Sequence, residues 1–322
     1  MGTYVRTQKI DHTVGERGSV SVSVTEGDVQ ARGVAGGDAH VRATFEIRAS
    51  SDAEADRIFE TIQLHVTRGG GSLTVGEQNG GPSLGAVISR IFGGSGHADL
   101  TVEAEIPAAA QLRLSSVSAD TEVSGMRGEQ RYSTVSGDLQ LRDVGGSIRL
   151  DAVSGDANLR TDEPIAVQAQ GVSGDVSITA RLLRSLRANT VFGDVEVEAE
   201  LDARGDFRVE TVSGDLVVGL IGNATFEIHG ISVDVSSELD HRLEGQVDRR
   251  RMIIGSGGPR LIFNSMSGDV DVRRPRRIAP VEKALAPAPS APDPVARLEV
   301  LRALERGEID VDEATRRLAG GA

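Results

Sequence analysis

The chain has 322 residues, 39% of them apolar and 26% charged, enough for one large or two smaller domains and unlike a disordered or membrane-spanning chain. The formal net charge is −13, the reverse of a general nucleic-acid binder, and the absence of Cys removes disulfides, thiol catalysis and thiolate metal sites. Gly accounts for 39 residues, whereas aromatics are only two Tyr and seven Phe with no Trp. Small side chains and frequent turns therefore dominate.

The first residues, MGTYVRTQKIDHTV, contain no apolar h-region of a secretory signal, and no apolar run approaches 18 residues. The chain reads as cytoplasmic, with peripheral membrane attachment through a partner left open. Segments 18–34 and 36–50 read as strands with Gly-Asp turns and are expected to be the opening coils of a repeat body. Segment 51–62 breaks the strand pattern. Ser51 can cap a helix, Glu54 follows three residues later, and Ile58 and Ile62 repeat at four, so a short helix is expected over an open sheet end. Residues 63–76 return to strand and turn, 79–97 form a Gly-rich excursion, and 99–116 read as two strands joined at Pro107.

A repeat then dominates. VSADTEV, VSGDLQL, VSGDANL, VSGDVSI, VFGDVEV, VSGDLVV, ISVDVSS and MSGDVDV share one pattern. Their acidic positions are Asp120, Asp138, Asp156, Asp175, Asp194, Asp215, Asp234 and Asp269, at spacings of 18, 18, 19, 19, 21, 19 and 35. The last gap reads as two degenerate turns, one around Gly257-Gly258. Between turns, apolar residues alternate with polar ones: Leu139, Leu141, Val144, Ile148, Leu150, Val153, Ala157 and Leu159 on one side, Gln140, Arg149 and Asn158 on the other. Regular spacing and period-two strands predict an all-β fold: a β-solenoid of stacked coils of 18–21 residues. A sandwich or meander of antiparallel hairpins is the alternative. Val117, Val135, Val153, Val172, Val191 and Val212 are expected to form an internal ladder.

The turn residues are Gly137-Asp138, Gly155-Asp156, Gly174-Asp175, Gly193-Asp194, Gly214-Asp215 and Gly268-Asp269. Gly supplies positive φ, and Asp accepts backbone N–H bonds. These positions read as structural turns. Stacked carboxylates also raise the alternative of Ca²⁺ binding, but the glycines of a G-G-x-G-x-D roll are missing. Arg249–Arg251 and Arg273, Arg274, Arg276 and Arg277 are basic clusters that could face an anionic surface or simply blunt an edge.

The chain ends in an Ala/Pro-rich linker, 275–293, and a segment, 294–322, that reads as a two-helix hairpin. Pro294 suits the first helical position, Gly307 ends the first helix, and Asp310 with Glu313 starts the second. Leu298, Leu301 and Leu304, then Ile309 and Leu318, supply apolar stripes and are the expected interaction residues. The expected domains are thus 1–274, irregular to 116 and regular over 117–272, and 294–322.

The repeated VSGDV pattern, the helix near residue 55 and VEAEIPAAAQLRLSSVSADTEVSG resemble the bacterial DUF4097 adhesin family over roughly residues 18–272. LEVLRALERGEIDVDEATRRL resembles SHOCT-like helical modules. The resemblance implies a β-solenoid, an envelope or interaction role, no cofactor and no catalytic residues.

The residues themselves agree that this is not an enzyme. No two of the six His lie within five residues, and H-E-x-x-H, G-x-S-x-G and Walker A patterns are all missing. The function expected is a non-catalytic scaffold for protein–protein interaction, in envelope sensing, acting on a protein partner or a second copy through the C-terminal hairpin. A surface adhesin for glycan or matrix and a self-assembling structural protein are the alternatives.

Overall fold

The computed structural model describes residues 2–77, 98–246 and 248–276. The chain divides between Val281 and Glu282, and the second unit lies outside the described residues, as does the Gly-rich excursion at 79–97. The described part is all-β: 22 strands in one continuous hydrogen-bonded sheet, with one inserted helix.

The first part comprises β1 (Gly2–Thr13), β2 (Ser19–Val34), β3 (Asp38–Ala49), α1 (Asp52–Ile62), β4 (His65–Arg68), β5 (Ser72–Gly76) and β6 (Ala98–Pro107). β2 pairs in parallel with β5 and β6, so 18–34 does join the parallel body. β3 does not. It lies antiparallel between β1 and β6, which corrects the expectation that 36–50 forms a coil. Period two is the reason: Ala39, Val41, Ala43, Phe45 and Ile47 are buried alternately, and alternation is the same for either strand direction. His40 Nδ1 meets Asp11 Oδ1 at 2.6 Å across β3 and β1, and this hydrogen bond raises the imidazole pKa.

Helix α1 packs on β3 and β1. Ala55 is buried, and the Phe59 ring meets Phe45 edge-on at 5.4 Å. Ser51 Oγ accepts the Glu54 N–H at 3.3 Å, while the Glu54 carboxylate accepts the Ser50 N–H at 2.8 Å. The cap is therefore reciprocal but displaced by one residue from the standard box. Arg6 bonds Asp52 at 2.6 Å and Asp56 at 2.7 Å, fixing the helix start to β1.

The repeat region follows: β7 (Gln111–Ser124), β8 (Gln130–Ser136), β9 (Leu139–Arg142), β10 (Gly146–Ala152), β11 (Ala157–Thr161), β12 (Ile165–Gly171), β13 (Val176–Asn189), β14 (Val195–Leu201), β15 (Phe207–Ser213) and β16 (Leu216–Ile221). Two parallel ladders run through it. In one, β7, β8, β10, β12, the end of β13 and β15 follow one another. In the other, β7, β9, β11, the start of β13, β14 and β16 do so. Each strand thus pairs with its equivalent one repeat away. Leu150 and Val167 face inward from the first ladder, and Leu141, Leu159, Ile178, Val197 and Val218 from the second. No single repeat encloses these side chains; its neighbours do.

The last elements are β17 (Ala224–Ser232), β18 (Val235–Ser237), β19 (His241–Gln246), β20 (Arg249–Ile254), β21 (Arg260–Ser267) and β22 (Val270–Arg273). Here chain order and spatial order part. β21 lies between β15 and β17, and β22 between β16 and β18. The 35-residue gap is therefore not two degenerate turns. After β18 the chain makes an antiparallel hairpin, β19–β20, whose second strand runs along β17, and then returns to fill the layer it had skipped. β19 is exposed along its length and carries His241, Arg242 and Glu244, charges that discourage further strand addition.

Gly174 shows what stacking demands. Its φ is +114°, and a Cβ there would stand 2.2 Å from the carbonyl oxygen of Gly155 in the preceding repeat. Gly36 has a similar φ of +112° but nothing within 4 Å of its missing Cβ. Gly36→Ala should cost about 1 kcal/mol, from backbone strain alone, whereas Gly174→Ala should cost about 2 kcal/mol or more, because a backbone must also move. Denaturant midpoints of the two variants measure the difference; equal losses would remove the stacking contribution.

Candidate recognition face

Each Val-Ser-Gly-Asp segment makes one corner between the two ladders. Counting outward from the core explains its side chains. Leu150 is buried and Ala152 keeps its parity, so Val153 must face away. The same count holds for Val172, Val212, Met266 and Ile231, whereas in one repeat Val191 is half-buried and the next residue, Phe192, is the exposed one. Val135, Val153, Val172, Phe192, Val212, Met266 and Ile231 are between 42% and 76% exposed. This corrects the expected internal valine ladder: of its six members Val117 is buried, Val191 is half-buried, and Val135, Val153, Val172 and Val212 face solvent. The inward position belongs to the residue before each valine, where small or hydroxylated side chains such as Ser116, Thr134 and Ala152 fit the corner.

The exposed residues form a column. Hydrogen bonds from Ser154 N to Val135 O (2.9 Å), Ser173 N to Val153 O (2.9 Å), Phe192 N to Val172 O (2.8 Å) and Ser213 N to Val191 O (3.0 Å) join successive corners. Phe192 stands where the neighbouring corners have Ser173 and Ser213. Ser267 lies between Ser213 and Ser232, so Met266 precedes Ile231 in space although it follows it in the chain.

Beside this column runs a line of carboxylates. Asp120 Oδ1 accepts the N–H of Asp138 (2.9 Å), Asp138 that of Asp156 (3.0 Å), Asp156 that of Asp175 (2.9 Å), Asp175 that of Asp194 (2.8 Å) and Asp194 that of Asp215 (2.8 Å). Asp215 then accepts from Asp269 (2.7 Å), and Asp269 from Asp234 (3.1 Å). The aspartates hold one repeat to the next rather than closing their own turns. Among the described residues none of the eight forms a salt bridge. Asp271, on β22, behaves differently. Burial opposes its ionisation, but the Ser236 hydroxyl and Arg273 outweigh that and hold its pKa below the ordinary value.

The structure places the predicted turn residues together on this face. Gly137, Gly155, Gly174, Gly193 and Gly268 have positive φ, and Gly214 does not. Because seven of the eight Asp Oδ1 atoms accept a backbone N–H from the adjacent corner, the carboxylates are spread along the stack. Among the described residues no group of three or more His, Cys, Asp or Glu is placed to hold a metal ion. Part of the two basic clusters is engaged within the fold, while Arg249, Arg251 and Arg274 are exposed. Arg250 donates to Val233 O at 2.9 Å, Arg273 bonds Asp271 at 2.6 Å, and Arg276 reaches Glu196 at 3.7 Å; Arg277 lies outside the described residues. Leu298, Leu301, Leu304, Ile309 and Leu318 also lie outside them. The exposure of Phe192, Ile231 and Met266 was missed at the sequence level; parity counted from Phe263 and Ile228 points to Met266 and Ile231, but not to Phe192, which stands one residue past the valine position. No helix among the described residues is long and apolar enough to cross a membrane, which says nothing of strands.

Residues 95–185 match the family model described as Toastrack DUF4097. No curated protein matches the chain. Among solved structures, the fold resembles a candidate adhesin from Bacteroides fragilis at 12% identity and a TM-score of 0.47, covering 83% of this chain and 97% of that one. It also resembles a candidate lipid-binding protein from Parabacteroides distasonis at 10% identity and a TM-score of 0.44, covering 84% and 97%. The DUF4097 pattern is thus matched over one segment, from β6 into β13, and the all-β architecture continues on both sides of it.

The aspartate line yields a prediction with a sign. Asp156→Asn keeps the acceptor for Asp175 N–H and removes one of a row of like charges, so stability should be unchanged or slightly raised. Asp156→Ala removes the acceptor at an exposed site and should cost about 1 kcal/mol. Thermal melts of both variants read this out; a larger loss for Asn than for Ala would contradict the hydrogen-bond role.

Proposed function

We propose that this chain is a non-catalytic recognition protein of the surface-adhesin kind, built as a β-solenoid whose stacked corners form the recognition face. Parallel pairing of the strands from β8 to β16 with their equivalents in the next repeat supports the solenoid reading. One observation carries the function: a column of outward apolar side chains contributes nothing to the core and lies beside a line of aspartates that form no salt bridge among the described residues. Isolated exposed apolar residues are ordinary, but a contiguous column marks an interaction surface. In this reading residues 1–274 are the solenoid domain, 275–293 the spacer and 294–322 a helical hairpin that docks a protein partner or a second copy through Leu298, Leu301, Leu304, Ile309 and Leu318.

The test is saturable binding of the purified full chain to arrayed glycans and extracellular-matrix proteins. Binding to a defined member without turnover is expected, and it should fall at least tenfold when Val153, Val172 and Val212 become Thr. Binding to none, or binding indifferent to these changes, would remove the adhesin reading. For the hairpin, Leu301→Asp with Leu304→Asp should leave the melting of the solenoid unchanged and abolish self-association in light scattering. An unchanged oligomeric state would reduce 294–322 to a passive terminus.

A further inference from the structure

We infer that the corner face is a docking site for a cationic amphipathic α-helix of about 19 residues. The inference rests on the recognition reading above and names the partner of that same face. Three features of the face select this occupant.

The first is backbone satisfaction. The N–H and C=O groups along the column are already spent between repeats, as from Ser154 N to Val135 O and from Ser173 N to Val153 O, both at 2.9 Å. The face therefore offers no free edge for strand addition. A partner lying on apolar side chains must satisfy its own backbone, and a helix does so internally.

The second is spacing. Corners repeat about every 4.8 Å. The column runs over seven levels, from Val135 to Ile231 in spatial order, so its length is about 29 Å. A helix presents its apolar stripe about every 5.4 Å and reaches 29 Å in about 19 residues. Five or six stripe residues can then settle between successive aliphatic side chains.

The third is charge. The aspartate line runs along one flank of the column, two or three residues further on in each corner, and has no salt bridge among the described residues. The helix should therefore carry Lys or Arg along one border of its stripe. A second copy of this face would instead bring another line of aspartates, and the chain as a whole has a net charge of −13.

The probe is a labelled 20-residue peptide with Leu at helical stripe positions, Lys along one border, and Ala and Gln elsewhere. One control has the same composition with the Leu residues scattered, and another replaces Lys by Glu. Fluorescence anisotropy with the full chain at low and high NaCl should show binding to the first peptide only, weakened by salt. Val153→Thr, Val172→Thr, Phe192→Ser and Val212→Thr together should raise Kd at least tenfold with an unchanged melt. Should that variant misfold, Asp156→Asn, Asp175→Asn and Asp194→Asn keep the inter-repeat acceptors and should weaken binding about tenfold while flattening its salt dependence. Equal binding of the striped and scattered peptides, or no loss in the aspartate variant, overturns the inference. A wild-type dimer that the column variant converts to monomer also overturns it, by naming a second copy as occupant. If the arrays bind the chain through this face while the striped peptide does not, the helix inference alone falls. If neither binds, the recognition reading falls with it.

Discussion

Everything in the repeat region depends on how closely one corner can lie upon the next. At Gly174 the carbonyl oxygen of Gly155 occupies the place a Cβ would take, and at Gly155 the carbonyl of Gly137 does the same. That proximity lets Asp156 Oδ1 reach the N–H of Asp175 and lets the strand ladders on either side keep register. A corner that held its strands apart would lose the ladders, and with them the enclosure of Leu141, Leu159 and Ile178. Glycine is required here for contact as much as for its backbone conformation: Gly214 lacks a positive φ, yet its Cβ would stand 2.1 Å from the carbonyl oxygen of Gly193.

The close stack also fixes what the surface presents. A corner has four residues in which to leave one ladder and join the other. Its inward position is taken by a small residue, its glycine is pressed against a neighbour, and its aspartate is engaged along the stack. The valine position is left to point outward in most repeats, beside an exposed serine. Apolar residues at that position are therefore not fold-determining, which is why Met266 and Ile231 stand in place of valine, and Phe192 in place of the following serine, without disturbing the strands. Such latitude is what a recognition surface needs, since its chemistry can change without changing its support.

Much of this was legible in the residues. The spacing of 18–21 and the alternation around Leu139 to Leu159 pointed to an all-β repeat, and Ser51 with Glu54 pointed to the helix. Two things were not legible. Alternation carries no direction, so the antiparallel placement of β3 between β1 and β6 could not be told from a parallel one. Spacing carries no spatial order, so a 35-residue interval looked like extra turns, when it is a hairpin followed by a return into the layer between β15 and β17. The inverted valine assignment has a different origin. A β-branched residue in a repeat invites an inward reading, but parity counted from Leu150 through Ala152 sends Val153 outward, and the count is the stronger argument.

The return of the chain near its end has a physical consequence for the face. If the repeats had simply continued, the body would have ended on a parallel strand with an open edge, inviting another copy to add to it. Instead β21 and β22 are set between earlier layers; the first ladder then ends on β20 and the exposed, charged β19, and the second on the three-residue β18. The aspartate line and the apolar column still cross this reversed layer unbroken, through Asp269 to Asp234 and through Met266 to Ile231. Termination by an antiparallel hairpin therefore separates two properties that a plain stack would couple. The first ladder ends on a charged antiparallel edge that discourages strand addition, while the long side face keeps its period to the last corner.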